Sequence, residues 1–206
     1  MRIFRYLDQA GHMGFGRFDE QGQTFLIEKK ADGDFETTDQ RITPFRLLTP
    51  IDFRCIYAIG LNYRAHAEET GMAIPKHPMV FMKAPTAIQN PGDPIVIPRY
   101  LRRDNVDHGG ELGVVIGRPC KNVEPSEALS YVLGYTCVND VSARDWQKEK
   151  GEGQFCRGKT FDTFCPAGPC LTTADEIPDP SKLTLRTYLN QDKVQESRAD
   201  DLIFDV

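Results

Sequence analysis

The sequence predicts a mainly β (α+β) protein with short helices, on three observations. Short runs rich in Val and Ile, such as ELGVVIG and VLGYTCVNDV, have the composition of strands. The segment KLTLRTYLN alternates apolar and polar residues, as in a strand with one solvated face. Helical character is confined to the short segments RAHAEET, PSEALSYVL and SARDWQKEK.

The first part of the chain is predicted to be a small N-terminal β domain over residues 1–47. Its apolar runs IFRYL, GFGRF and TFLIEK are separated by Gly and polar turns, which is typical of antiparallel strands. PFRLLTPID is predicted to be a linker, because prolines stand on either side of a short apolar segment. Residues 48–206 are predicted to form a second, larger domain.

The larger domain is predicted to alternate strands with short helices. CIYAIGL is predicted to be a buried strand, and Gly71 suits the end of the RAHAEET helix. IVIP and DLIFDV are further strand candidates, and Pro125 stands near the start of the PSEALSYVL helix. SARDWQKEK opens with a capping-box pattern, Ser142 to Asp145.

Composition and charge exclude several classes of function. The chain of 206 residues has a net charge of −5 and no block of Lys and Arg, so nucleic acid and anionic membrane surfaces are not expected as partners. No apolar stretch approaches the roughly 20 residues that span a bilayer. The start lacks the apolar region of a signal peptide, so we expect a cytoplasmic location. The six cysteines form no C-x-x-C pair and are expected to be reduced and mostly buried.

Two polar segments lie next to predicted helices and strands. His66 and Glu69 in GLNYRAHAEE share a helix face, so the carboxylate can orient the imidazole as a general base that acts on water. Taken alone, the segment favours the alternative, a solvated surface pair. Glu111 stands at the entrance of an apolar strand, where an acidic side chain is costly unless it is paired or binds a cation. The alternative is an exposed strand end.

A third polar segment comprises NDVSARDWQ and RGKTFDTF. Asp140 ends an apolar strand, and loops at strand ends often carry binding residues. Arg144, Gln147 and Lys159 can clamp a carboxylate or an enolate. The alternative is that Arg144 pairs with a nearby acid.

Five blocks together resemble the fumarylacetoacetate hydrolase family, and they occur in the family's order. They are GLNYRAHAEE, PMVFMKAP, GELGVVIG, GYTCVNDVSARDWQ and RGKTFDTFCPAGP. The resemblance extends from about Arg54 to the last residue. It implies a mixed β-roll, small-acid chemistry and a homodimer.

The resemblance implies a Mg²⁺ or Mn²⁺ site built from carboxylates. Members of the family hold the ion with an E-x-E motif and an aspartate, which correspond here to Glu111 and Asp140. Gly109 stands where the first Glu of E-x-E is expected, on the same strand face as Glu111. We therefore expect weaker metal binding that needs help from substrate oxygens.

The resemblance also implies catalytic and substrate-binding residues. His66 and Glu69 correspond to the pair that activates water, and Lys159 to the lysine that stabilises the enolate. The substrate-binding positions correspond to Arg144, Gln147 and Tyr63. Members of the family continue beyond a D-x-x-F-D-V strand with a block that contains a G-T-P turn, so we expect a truncated chain that lacks the C-terminal part of the roll.

The implied function is metal-dependent hydrolysis of a C–C bond in a small 2-oxo or 2,4-dioxo acid through a metal-bound enolate, as in aromatic compound catabolism. Isomerisation or decarboxylation would use the same enolate. Two other classes stay open. One is an inactive pseudoenzyme that only binds partners or oligomerises, favoured by Gly109. The other is a metal-independent small-acid binding module built on Arg144 and Lys159.

Overall fold

The computed structural model describes residues 1–30, 34–102 and 105–206. Strands dominate these residues and the helices are short, which confirms the mainly β class. The strands are β1 (Arg2–Leu7), β2 (Met13–Phe18), β3 (Thr24–Lys29), β4 (Phe35–Arg41), β5 (Arg46–Leu48), β6 (Ile56–Gly60), β7 (Met79–Lys83), β8 (Ile88–Gln89), β9 (Val106–Asp107), β10 (Gly110–Ile116), β11 (Val132–Asn139), β12 (Ser142–Ala143), β13 (Cys165–Pro166), β14 (Leu171–Thr173), β15 (Thr184–Leu189) and β16 (Asp192–Arg198). The α-helices are α1 (Arg64–Glu69), α2 (Arg144–Gln147) and α3 (Phe155–Lys159).

The largest sheet has eight strands and is antiparallel. Seven of them run in the order β10-β11-β14-β1-β2-β3-β4, and β5 pairs with β1. The beginning of β1 pairs with β14 and its end pairs with β5, so residues from both ends of the chain share this sheet. The sheet therefore crosses the expected boundary between residues 47 and 48, and a division into two domains there stays a prediction.

Small residues in β2 allow the aromatic side chains of β1 to pack across the sheet. Gly16 lies opposite Phe4 and Gly14 opposite Tyr6. A Cβ on Gly16 would come within 2.3 Å of the Phe4 ring, so the close approach requires glycine. Phe4 is fully buried and, with Ile3, forms part of the N-terminal core.

Four two-stranded sheets complete the strand pairing in the described ranges. They are β6–β7, β8–β13, β9–β12 and β15–β16. A second core of Leu101, Val141, Ala143 and Phe164 surrounds β12, and Trp146 packs against it. In the described part of the chain, no helix is long and apolar enough to cross a membrane.

Several local expectations were wrong. Arg46–Leu48 form β5 instead of a linker, because their backbone groups pair with β1. The IVIP segment at 95–98 is not a strand. The helix expected at PSEALSYVL is present, as the 3-10 helix Pro125–Tyr131. β6 alternates in burial, so Tyr57 and Ile59 are exposed on a strand expected to be buried.

The capping box expected at Ser142 is absent from the described start of α2. Ala143 precedes the helix and no side chain caps it. The Ser142 hydroxyl instead donates to the carbonyl of Asp140 and accepts from Lys159. The Ser142 hydroxyl is therefore part of the polar cluster described below.

DLIFDV does not form the expected strand. Leu202 makes a single bridge to Tyr63, and the Asn62 side chain bonds both backbone groups of Phe204. The Asp201 carboxylate accepts from the backbone N–H of Ala65, in the first turn of α1. The segment thus binds the loop before α1 mainly through side chains, in place of a strand ladder.

All six cysteines are unpaired, as expected, but most are not buried. Only Cys165 is buried, Cys170 is half-buried and the other four are exposed. The apolar neighbours that suggested burial lie on strands with one solvated face.

Candidate active site

Asp140 is the centre of a buried polar cluster. It follows β11 directly, and its carboxylate lies between two lysines. Lys83 Nζ is 2.5 Å from Oδ1, and Lys159 Nζ donates to Oδ2. Each ammonium has a second partner, the carbonyl oxygen of Val141 for Lys83 and the hydroxyl of Ser142 for Lys159. Buried charges are tolerable only with such compensation.

Local sequence explains how the two lysines reach Asp140. Burial alternates along β7, so that Lys83 points inward in phase with Phe81. Lys159 is carried by α3, which packs closely against α2. A Cβ on Gly158 would lie 2.5 Å from the backbone nitrogen of Gln147, so the close packing requires glycine there.

Glu111 lies close to this cluster. As a residue it is half-buried, but its carboxyl group is shielded enough that loss of solvation raises its pKa to about 7. The negative charge of Asp140 raises the pKa further, whereas Lys159 and Lys83 oppose the rise. A carboxyl group that titrates near neutral pH is suited to proton transfer, so Glu111 is a candidate acid or base.

Tyr63 faces the same region from the loop before α1. Burial raises the pKa of its phenol to about 12, and the charges of Glu111 and Asp201 contribute. The hydroxyl is therefore protonated at neutral pH and available as a donor.

Arg144 pairs with an acid, as the alternative interpretation proposed. Its Nε and Nη2 donate to Asp107 Oδ2 at 3.0 and 2.7 Å, and Nη1 donates to Gln147 Oε1 at 2.9 Å. Two of the five N–H groups of the guanidinium remain for a ligand. Because its side chain is 40% exposed, Arg144 can also meet an anion from solvent.

His66 and Glu69 lie on one face of α1, as predicted. Nδ1 of His66 is 3.6 Å from Glu69 Oε2, and the side chains are 57% and 81% exposed. This matches the solvated-pair interpretation more closely than a buried catalytic dyad. At 3.6 Å the two side chains form an ion pair only when His66 is protonated, and the separation is too long for a hydrogen bond.

A cavity of about 190 Å³ reaches the site at Glu111, but Lys83, Asp140 and Lys159 do not line it. An apolar cavity of roughly 150 Å³ can hold a benzene ring, so the space is large enough for the apolar part of a small ligand. Tyr63 and Glu111 are the predicted site residues that line it, and the remaining lining is mostly apolar.

The donor atoms fit a divalent metal ion incompletely. Asp140 and Glu111 offer oxygens of the kind that Mg²⁺ prefers, and each Asp140 oxygen keeps a lone pair besides its lysine bond. In residues 1–30, 34–102 and 105–206, however, no group of three His, Cys, Asp or Glu is placed to hold a metal. A Cβ on Gly109 would lie 3.8 Å from Glu111 Oε1 and 3.2 Å from the Asp140 carbonyl, so the absent side chain would project into this site.

Sequence reasoning missed Lys83, Asp107 and Ser142. A signal for Lys83 was present, because a lone lysine in phase with Phe81 on an apolar strand implies a buried partner. Asp107 pairs with Arg144. That ion pair joins residues 37 positions apart, and nothing in the local pattern marks it.

Comparison with known proteins gives a consistent result. Residues 55–206 match the family described as "Fumarylacetoacetate (FAA) hydrolase C-terminal". The chain is 42% identical to the Xenopus laevis protein "Oxaloacetate tautomerase fahd2, mitochondrial", over 91% of this chain and 58% of that protein. The structure of "5-carboxymethyl-2-hydroxymuconate delta-isomerase" from Mycobacterium smegmatis matches with a TM-score of 0.83 and 41% identity, over 100% of this chain and 78% of that one.

A 2-hydroxyhepta-2,4-diene-1,7-dioate isomerase from Mycobacterium marinum matches with a TM-score of 0.82 and 36% identity, over 100% of this chain and 78% of that one. Among curated relatives, the chain spans 75% of an Archaeoglobus fulgidus protein but 55% of a Dictyostelium discoideum protein and 51% of a Burkholderia multivorans protein.

Proposed function

Because the chain belongs to the fumarylacetoacetate hydrolase family, we propose that it acts on a small 2-oxo or 2,4-dioxo acid by forming an enolate. The products would follow from isomerisation, hydrolysis of a C–C bond or decarboxylation. The observation that carries the proposal is the Asp140 carboxylate between Lys83 and Lys159, with Glu111 adjacent. Relatives named as isomerases and as a tautomerase support enolate chemistry.

Lys159 and Arg144 would bind the substrate's oxygens in this proposal. Two of the three N–H groups of Lys159 are used by Asp140 and Ser142, which leaves one for an enolate oxygen. Arg144 would hold the carboxylate with its two remaining N–H groups. Tyr63, Gln147 and the adjoining cavity would fix the position of the rest of the substrate.

A Mg²⁺ or Mn²⁺ ion would be held by Glu111 and Asp140, together with the carboxylate and 2-oxo oxygens of the substrate. When bound, such an ion supplies positive charge that stabilises an enolate. Since position 109 lacks a carboxylate, we expect the ion to bind with the substrate and only weakly without it. A homodimer is a further part of the proposal, carried by the resemblance.

Hydrolysis would add one requirement, a base that activates water. We assign that base to His66, oriented by Glu69. Both side chains are exposed, so water can reach the imidazole. Isomerisation needs no water attack and therefore does not depend on His66.

The first experiment is a calorimetric titration with Mn²⁺, with and without oxalate as a mimic of a 2-oxo acid. We expect saturable Mn²⁺ binding that oxalate strengthens at least tenfold. Gly109→Glu should bind Mn²⁺ without oxalate, and Gly109→Gln, which has the same size but no charge, should not. Absence of any binding by the folded wild-type chain would contradict the proposal.

The second experiment separates enolate formation from cleavage. Exchange of the C3 protons of oxaloacetate in D₂O, followed by NMR, reports the enolate, and product analysis of an acylpyruvate reports hydrolysis. Lys159→Met should abolish both, whereas His66→Ala should abolish only hydrolysis. Lys150→Met is the matched control, since Lys150 pairs with Asp145 outside the cluster.

A second candidate function is a binding subunit without catalysis, favoured by Gly109. It predicts oxalate binding by the wild-type chain without any exchange at C3. Exchange that depends on Lys159 would exclude it.

A further inference from the structure

We infer that Gln195 is a positioning residue for the site, holding the backbone of Gly110 so that Glu111 and the Gly109–Asp140 contact stay in place. This inference rests on the proposed function. It concerns the β15–β16 hairpin, to which neither the sequence nor the comparisons assign a role.

Gln195 binds Gly110 as a neighbouring strand would. The backbone N–H of Gly110 donates to Oε1 of Gln195 at 2.9 Å, and Nε2 of Gln195 donates to the Gly110 carbonyl, also at 2.9 Å. Gly110 begins β10, which is an edge strand of the eight-stranded sheet. One side-chain amide therefore satisfies both backbone groups of an edge residue.

Thr187 adds a third bond to that amide. It lies opposite Gln195 in the hairpin, and its hydroxyl donates to Gln195 Oε1 at 2.8 Å. The orientation itself is set by Gly110, because a backbone N–H can only donate and a carbonyl can only accept. The contact is also tight, because a Cβ on Gly110 would lie 2.2 Å from Thr187 Oγ1 and 3.0 Å from Gln195 Oε1.

Gly110 connects this contact to the site on both sides. Its predecessor Gly109 accepts a hydrogen bond from the backbone N–H of Asp140 at 2.7 Å. Its successor Glu111 carries the carboxyl group beside Asp140. A shift of Gly110 along or away from the hairpin would therefore move both carboxylates relative to each other.

The test compares Gln195→Met with Arg186→Met. Gln195→Met keeps the length of the side chain and removes both bonds to Gly110. Arg186→Met removes an exposed ion pair with Glu196 in the same hairpin, without touching Gly110. Hydrogen exchange of the Gly110 amide reports the contact, and calorimetric titration with oxalate in the presence of Mn²⁺ reports the site.

We expect Gln195→Met to increase the rate of hydrogen exchange at the Gly110 amide at least tenfold and to weaken oxalate binding at least tenfold. In Arg186→Met, the exchange rate and the affinity for oxalate should be unchanged. Gln195→Glu keeps the acceptor but loses the donor. Its affinity for oxalate should therefore lie between those of Gln195→Met and the wild type. If Gln195→Met does not fold, Thr187→Val tests the same point, since it removes one of the three bonds that hold the amide and should weaken oxalate binding.

Oxalate binding by a folded Gln195→Met or Thr187→Val variant within twofold of wild type would overturn the inference alone. Failure of the wild-type chain to bind oxalate would overturn the proposed function and, with it, the positioning role. The two failures are thus distinguishable in one set of titrations.

Discussion

Lys83 and Asp140 form an ion pair in the interior, with Nζ 2.5 Å from Oδ1 and the lysine side chain 1% exposed. Because Lys159 holds the other oxygen, a single carboxylate compensates two ammonium groups. Removal of that carboxylate has a larger consequence than loss of an ordinary ion pair.

Asp140→Asn should lower the free energy of unfolding by about 3–5 kcal/mol, the range for breaking a buried ion pair. Two buried ammonium groups would lose their counterion, while the shape of the side chain is kept. Urea denaturation measures the change. Glu196→Gln, which breaks exposed pairs with Arg186 and Lys193, should lower the free energy of unfolding much less, because solvent screens those pairs. Equal losses for the two variants would contradict the buried network.

The adjacent glycines Gly109 and Gly110 should respond differently to alanine. At Gly110 the new Cβ would lie 2.2 Å from Thr187 Oγ1, so we expect Gly110→Ala to destabilise by about 1–3 kcal/mol. At Gly109 the nearest atom is the Asp140 carbonyl oxygen at 3.2 Å, which a small shift relieves. Gly109→Ala should therefore stay within about 1 kcal/mol of wild type. Thermal unfolding compares them, and a reversed order would contradict the geometry.

Asp93 should make stability depend on pH. Its hydrogen bonds from Arg46 and Asn90 hold the pKa of the carboxyl below its usual range. A folded-state pKa below the unfolded value stabilises the fold above the unfolded pKa, about 3.9, and this contribution is lost as pH falls through the folded pKa. The difference in unfolding free energy between wild type and Asp93→Asn should thus be largest near pH 7 and shrink toward pH 2. Asp162→Asn, at an exposed aspartate, serves as the control, and a difference that does not change with pH would contradict the prediction.

Cys165 should be the least reactive cysteine. Burial raises the pKa of its thiol to about 11, and the side chain is shielded from solvent. Only the thiolate reacts with alkylating reagents, so little reaction is expected at pH 8 in the native state. Mass spectrometry after brief iodoacetamide treatment should find Cys120 and Cys156, which are exposed, modified first. In urea all three should react alike; native labelling of Cys165 at the rate of Cys120 would contradict its burial.

Local pattern was sufficient for much of the fold. The alternation and composition of ELGVVIG, VLGYTCVNDV and KLTLRTYLN predicted β10, β11 and β15, and Gly71 does end α1 with a positive φ. The errors concern backbone groups whose partners are distant in sequence. PFRLLTPID carries β5 because β1 is available to pair with it, and DLIFDV is bound by the side chain of Asn62.

In the candidate site, too, local motifs predicted some residues, whereas contacts between residues distant in sequence were missed. Asp140, Lys159 and Glu111 were predicted from motifs, and the fold brings them together. The partner of Arg144 and the ammonium of Lys83 could not be placed, since Asp107 and Lys83 lie 37 and 57 residues from their partners. The exposure of His66 and Glu69 could likewise not be predicted from the motif, because it depends on which residues pack over α1.

The first strand of the protein is completed by one of its last. Arg2 and Ile3 pair with Thr172 and Leu171, so synthesis from the N-terminus produces β1 long before this partner exists. Until then the nascent chain carries an open strand edge, which is prone to misassociation. Closing so long a loop is also entropically unfavourable and slows folding. The sheet can therefore close only once residues 171–173 have been synthesised, and chaperones that cover exposed β edges should raise the soluble yield.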